Sequence, residues 1–397
     1  MIKNKFLIKI ISIMTIIYIF FLIRKGNERY IIDVILAIIT LFTAFRINEK
    51  NKVNKWLSFY LIGYVLLMGL SLYKTNGKNF QLFFRISFHI YILFLCFTQI
   101  KIEEKIYKNL IFIISFFSLI ILFKGLEEWS ANNFSLYYRV KGWSYPTIFT
   151  IEIGTYNLIS FFSIFYYKNR ILKFSSLIIF VFSLFILLGT NSRVTIILIP
   201  IIIIGVVLFF YGSKIRKRDI IIIMSLIFLL QISSFEKRFY RLKSLSTIEN
   251  IKKETRIKIY IKGMEDFKNN NYRSLGFNFY ENKKINVIKG EENPHLHNNI
   301  LEILVTQGAL ALVFYLLLNF YLLKEMLKKL KTLVPRSQKF MLYLGITLNI
   351  FINLSGLVDS NIYFIKTNQL IFFIYALSLC KVYNENELKK IEVDKKI

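Results

Sequence analysis

The chain is poor in the residues that build disulfide frameworks and metal centres. Its 397 residues include two cysteines, Cys96 and Cys380, and three histidines, His89, His295 and His297. Both cysteines sit in apolar runs far apart in sequence, where they read as small buried hydrophobes. Neither has the spacing of a disulfide framework or a zinc motif. Four prolines and 16 glycines leave long segments uninterrupted. Acidic residues number 24 against 53 Lys and Arg. There is no Asp-x-Asp pair, P-loop, HExxH or GxSxG, so the common signatures of metal-dependent nucleotide-sugar chemistry, nucleotide hydrolysis, zinc proteolysis and serine hydrolysis are missing.

What is there is apolar. The composition is 55% hydrophobic and 17% aromatic, too apolar for a soluble domain. Runs of about 15 to 22 apolar residues recur, long enough to cross a bilayer as helices. The sequence predicts an all-α, polytopic membrane protein of about 12 transmembrane helices. They fall near 6–23, 31–45, 56–73, 80–98, 109–123, 146–167, 171–189, 193–211, 219–233, 299–323, 340–357 and 362–380. The second, fifth and ninth are short for a crossing. The first follows a basic N-terminus but ends without a small-residue cleavage site, so it reads as an uncleaved span.

The distribution of positive charge gives the topology. With the N-terminus in the cytoplasm, the cytoplasmic segments hold 28 Lys and Arg and the short outer loops nine. Such a bias expects an even number of spans with both termini inside. It also makes the formal charge of +29 a topology signal rather than a nucleic-acid footprint. The expected organisation is helices one to nine over 1–233, a large outer loop over 234–298, helices ten to twelve over 299–382 and a cytoplasmic tail over 383–397.

The outer loop is patterned. Thr255 to Phe267 reads as a helix with Arg256, Tyr260, Gly263, Met264 and Phe267 on one face. Ser274 to Asn278 reads as a turn-rich break, and the whole as a small helical cap. At its end stands Asn293-Pro294-His295-Leu296-His297-Asn298-Asn299, just before an apolar helix that carries Glu302. Histidine is the side chain suited to proton transfer near neutral pH. His297 reads as a catalytic base or as an inert helix-end histidine. Asn298 and Glu302 are four apart and share a face, and an intramembrane carboxylate is expected to face protein or water. Paired histidines suggest a metal, but no third ligand with suitable spacing appears, so no metal is expected.

Arg193 opens a span after Thr190, Asn191 and Ser192. A cation at a helix N-terminus is locally unfavourable, and a bound anion reverses that; the alternative is an Arg snorkelling to headgroup phosphates. Arg256 reads as an anion ligand or as one more solvated basic residue. Arg85, His89, Glu152 and Lys366 lie within spans and are expected to face the bundle interior. Tyr137, Tyr138, Arg139, Lys141 and Trp143 suit an interface belt as well as a sugar-binding surface.

Three blocks resemble the O-antigen ligase family. They are Asn191-Ser192-Arg193-Val194-Thr195; Thr255-Arg256 through Gly263 with Leu275-Gly276-Phe277-Asn278; and His297-Asn298 with Gly308 and Ala311 downstream. Ala311 and Asn278 stand where that family usually has glycine. The similarity covers roughly 189–361. It implies a glycosyltransferase of the bacterial inner membrane with its site facing the periplasm. The donor would be a glycan on undecaprenyl pyrophosphate and the acceptor lipid A–core, among membrane lipids and without nucleic acid, metal or cofactor. Arg193 and Arg256 would bind the pyrophosphate and stabilise the leaving oxygen, and His297 would take the acceptor's proton. Ser192, His295 and Asn298 would complete the binding surface. Displacement would invert the anomeric centre. The alternatives are an O-antigen polymerase, which shares the donor, and a polysaccharide or lipid transporter, which predicts an internal repeat that the two halves lack.

Overall fold

The computed structural model describes residues 55–99, 101–135, 138–142, 146–190, 192–211, 255–288, 291–332 and 334–383. The spans expected at 6–23, 31–45 and 219–233 lie outside the described residues. The rest is nearly all helical, as the apolar runs require.

Chain order begins with α1 (Lys55–Tyr73), α2 (Phe80–Arg85), a π-helical turn (Ile86–Ile92) and α3 (Leu93–Gln99). Strand β1 (Lys101–Glu103) leads into α4 (Glu104–Ala131), followed by α5 (Pro146–Tyr166), α6 (Arg170–Gly189) and α7 (Arg193–Tyr211). Helix α8 (Thr255–Asn269), the short α9 (Phe279–Asn282) and strands β2 (Ile285–Ile288) and β3 (Glu291–Asn293) come next. The chain then runs through α10 (Asn299–Gln307), α11 (Ala309–Leu330), α12 (Arg336–Gly356), α13 (Ile365–Leu379) and β4 (Lys381–Tyr383).

Among the described residues, six helices are long and apolar enough to cross a membrane: α1, α4 from Tyr107, α5, α6, α11 and α12. α5 and α12 bury 78% and 72% of their apolar stretch, whereas α1 and α11 bury 33% and 28%. The first two are therefore central, and the last two turn most of their apolar surface outward, as a lipid-facing helix does. Two expectations change. The fifth span is not short, because α4 runs for 28 residues. The span expected at 299–323 is two helices, broken at Gly308, whose φ of 101° no side-chain-bearing residue adopts easily. Glu302 therefore belongs to a short helix ahead of the apolar α11, not to a membrane-spanning one.

The helix ends sort into two sets. At one end Arg336 donates to the carbonyls of Phe165 and Tyr166, Lys329 to that of Leu379, and β1 pairs in parallel with β4. At the other end Val140 N donates to Gly189 O, and Lys74 Nζ to Ser274 O. Segments 255–288 and 291–299 sit at this second end and share a small core with α10: Ile259, Phe267, Tyr280, Ile285, Leu296 and Val305. α8 packs onto α10 and β2, and Gly263 makes this possible, since a Cβ there would run into the Leu296 side chain. The expected face of α8 holds for Gly263 and Phe267, but Met264 is exposed and Ile259 takes the inward position. Segment 275–277 docks through its backbone: Leu275 N to Val305 O, Gly276 N to Thr306 O and Phe277 N to Ser71 O.

Candidate functional site

The site is built around the first turn of α10. Asn298 is its N-cap, extended at φ −155° and ψ 121°, and its side chain accepts from Leu301 N at 3.0 Å. That bond satisfies one of the backbone donors left open at a helix start. The same side chain donates through Nδ2 to Leu357 O at 2.8 Å, so the cap also grips the turn between α12 and α13. Asn299 makes that grip rigid. Its Nδ2 donates to Asn361 Oδ1 at 2.6 Å, and its Oδ1 accepts from Asn361 N at 2.8 Å. Gly356 leaves the room, because a Cβ there would overlap the Asn299 amide.

His297 precedes the cap with φ of 53°, in the left-handed region that costs a non-glycine residue about 1 kcal/mol or more. Its carbonyl accepts from Tyr260 Oη of α8 at 3.2 Å. Glu302, fully buried, turns back and accepts from Leu296 N at 2.7 Å. Both neighbours of the His297 backbone are thereby fixed, and the strain is held in place.

The turn gripped by α10 delivers Asp359. Its Oδ1 lies 2.8 Å from His297 Nδ1 and 3.9 Å from His295 Nε2. Burial would raise the Asp359 carboxyl, but the His297 hydrogen bond and the charges of His297, Arg256 and His295 outweigh it and leave the group below its ordinary value. Asp359 is therefore ionised near neutral pH and stands as the acceptor for a hydrogen on His297 Nδ1. His295 differs: burial first, then the charges of His297, Lys284 and Arg256, push it down to about 4, against the pull of Asp359. The two rings stand 4.4 Å apart at 60°.

Arg256, in the first turn of α8, donates through Nη1 to Val358 O at 2.9 Å. It thus stands at the turn that carries Asp359, the carboxylate beside His297. Arg193 starts α7, with the Ser192 carbonyl accepting from Ile196 N; Ser192 Oγ lies 3.4 Å from Thr195 Oγ1. The Arg193 side chain lies outside the described residues, as does that of His89. The start of α7 is nonetheless at the site end: a Cβ on Gly154 would touch both Thr195 and Phe351, and Phe351 precedes the end of α12 by about one and a half turns.

Asp359 was not singled out in the sequence. Its only local signal is an acidic residue in a short outer link between two apolar spans. It also supplies the third donor that the histidine pair lacks in sequence: His295, His297 and Asp359 each offer a ligand atom, all within 4.8 Å of one another.

Fold and site together define a multi-pass helical membrane protein with a histidine–carboxylate centre at one end of the bundle. The model of the O-antigen ligase family matches residues 178–316 of this chain, which takes in all three sequence blocks and both histidines. A comparison with curated proteins finds no match. The family match supports an activity of ligase or polymerase type on lipid-linked glycans.

Proposed function

We propose that the protein is an O-antigen ligase. It would transfer a glycan from undecaprenyl pyrophosphate to a sugar of lipid A–core at the periplasmic face of the bacterial inner membrane. The observation that carries this reading is the bond between His297 Nδ1 and Asp359 Oδ1 at 2.8 Å. A base held by a carboxylate on one nitrogen presents the other to an incoming hydroxyl in a fixed direction. The acceptor hydroxyl gives its proton to His297 Nε2 as its oxygen attacks the anomeric carbon. The bond from that carbon to the pyrophosphate oxygen breaks, and the departing lipid pyrophosphate carries the electron pair away. Arg256 and Arg193 act on that developing charge, where fixed donors outside bulk water count most. Direct displacement inverts the anomeric centre. Cations take the electrostatic part, so the reaction uses no metal.

Support for the arginine role comes from Arg256, which spends one N–H donor on Val358 O and has five to offer. Transfer in vitro tests the reading, with purified protein, undecaprenyl-pyrophosphate glycan and two acceptors: lipid A–core and a second lipid-linked glycan. Product on lipid A–core alone supports the ligase. Product on the lipid-linked glycan alone assigns the polymerase, which uses the same donor and needs the same groups. Deleting the gene separates the two in cells: loss of a ligase leaves lipid A–core bare, and loss of a polymerase leaves single repeat units on it.

A further inference from the structure

We propose that His295, His297 and Asp359 form a binding site for one divalent transition-metal ion of the zinc type, whose occupancy excludes the His297–Asp359 hydrogen bond. The three donors converge from two separate parts of the chain. His297 Nδ1 and Asp359 Oδ1 are 2.8 Å apart, His295 Nε2 is 3.9 Å from the same oxygen, and all three atoms lie within 4.8 Å. His295 Nε2 is buried and makes no hydrogen bond, so a nitrogen lone pair or N–H points into the cluster without a partner. That is unfavourable as it stands.

Metal–ligand bonds of about 2.0–2.2 Å place the donors of a tetrahedral site about 3.3 Å apart. The His297–Asp359 contact would open by roughly half an ångström and His295 would swing in by up to about 1.5 Å. Both imidazole side chains are about one-fifth exposed, at 21% and 18%, so an ion has an approach and a coordination position remains for water.

Two imidazoles and one carboxylate form the donor set of zinc and its neighbours. Magnesium and calcium ask for several oxygens, and here there is one carboxylate with Arg256 beside it. The cluster therefore selects against hard cations. An ion held there takes His297 Nδ1 and Asp359 from each other, so metal and base function compete. Only this consequence rests on the proposed function; the binding does not.

The test uses the full-length chain in detergent without a histidine tag, titrated with Co²⁺ and followed by its visible absorption. The chain's three histidines and two cysteines keep the background low. One Co²⁺ per chain is expected, displaced by Zn²⁺ and not by excess Mg²⁺. His295→Gln and Asp359→Asn should each weaken binding at least about tenfold, while His89→Gln leaves it unchanged. Size-exclusion profiles and melting curves check that each variant is folded. Absence of a stoichiometric Co²⁺ spectrum overturns the site, as does binding that survives His295→Gln in folded protein or is lost with His89→Gln. None of these readouts needs glycan transfer, so failure here and failure of the ligase reading are separate results.

Discussion

His297 and Asp359 are 62 residues apart in the chain and 2.8 Å apart in the fold. The contact exists because α10 and the α12–α13 turn are tied together on either side of it, by Asn298 to Leu357 O and by Asn299 to Asn361. It predicts that the two residues act as one unit. His297→Ala should abolish transfer while the protein still inserts, and wild-type activity in that variant would remove the base assignment. Asp359→Asn should cut turnover by about 10²–10⁴-fold, and the double variant should be little worse than His297→Ala alone. Single-turnover transfer measures all three.

The Asn299–Asn361 pair should control geometry rather than binding. Asn299→Ala leaves the buried Asn361 backbone N–H and Oδ1 without their Asn299 partners, at a cost of about 1–3 kcal/mol, and frees the turn that carries Asp359. Turnover should fall with little change in donor KM. A melting curve and steady-state kinetics together check this; an unchanged kcat would mean that the His297–Asp359 contact does not depend on this pair.

Arg193→Lys should be nearly as damaging as Arg193→Ala, because a point charge does not replace a forked donor on a pyrophosphate. Donor-dependent kinetics of the two variants decide it. Full activity with Lys would mean that charge alone matters there.

Acid should loosen the histidine loop. His295 is pushed down to about 4 in the folded protein, from about 6.5 in the unfolded chain. The unfolded state therefore takes up a proton first as pH falls. The stability is fully present above about pH 6.5 and is lost toward pH 4, by at most about 3 kcal/mol. Asp359, also lowered, adds a loss of the same sign at still lower pH. Limited proteolysis of segment 255–299 from pH 7 to 4.5 should show increasing cleavage, and His295→Gln should flatten the profile between pH 6.5 and 5.

Chelation should leave transfer intact. EDTA at neutral pH is expected to have no inhibitory effect in the in vitro assay. Strong inhibition restored by Mg²⁺ would reject a reaction carried by arginine and histidine alone.

Several features were legible in the sequence because their causes are local. An apolar stretch of helical length declares itself without a partner, and α1, α5, α6 and α12 appear within a few residues of their expected bounds. The same holds for α8 over Thr255–Asn269. The break at Gly308 was missed because Asn299 to Leu330 is apolar enough on both sides to read as one helix. Met264 was placed inward by spacing alone, although its neighbours leave it exposed.

The sequence by itself determined a helical membrane protein and the residues His297 and Arg256 as candidates. Hydrophobicity, charge and capping act over a few residues and can be read one segment at a time. Only the tertiary structure decided that Asp359 holds His297, that His295 joins them and that Glu302 turns back onto the Leu296 amide. Those partners are set by how α10 docks against the α12–α13 turn, a contact between distant segments that no local pattern encodes.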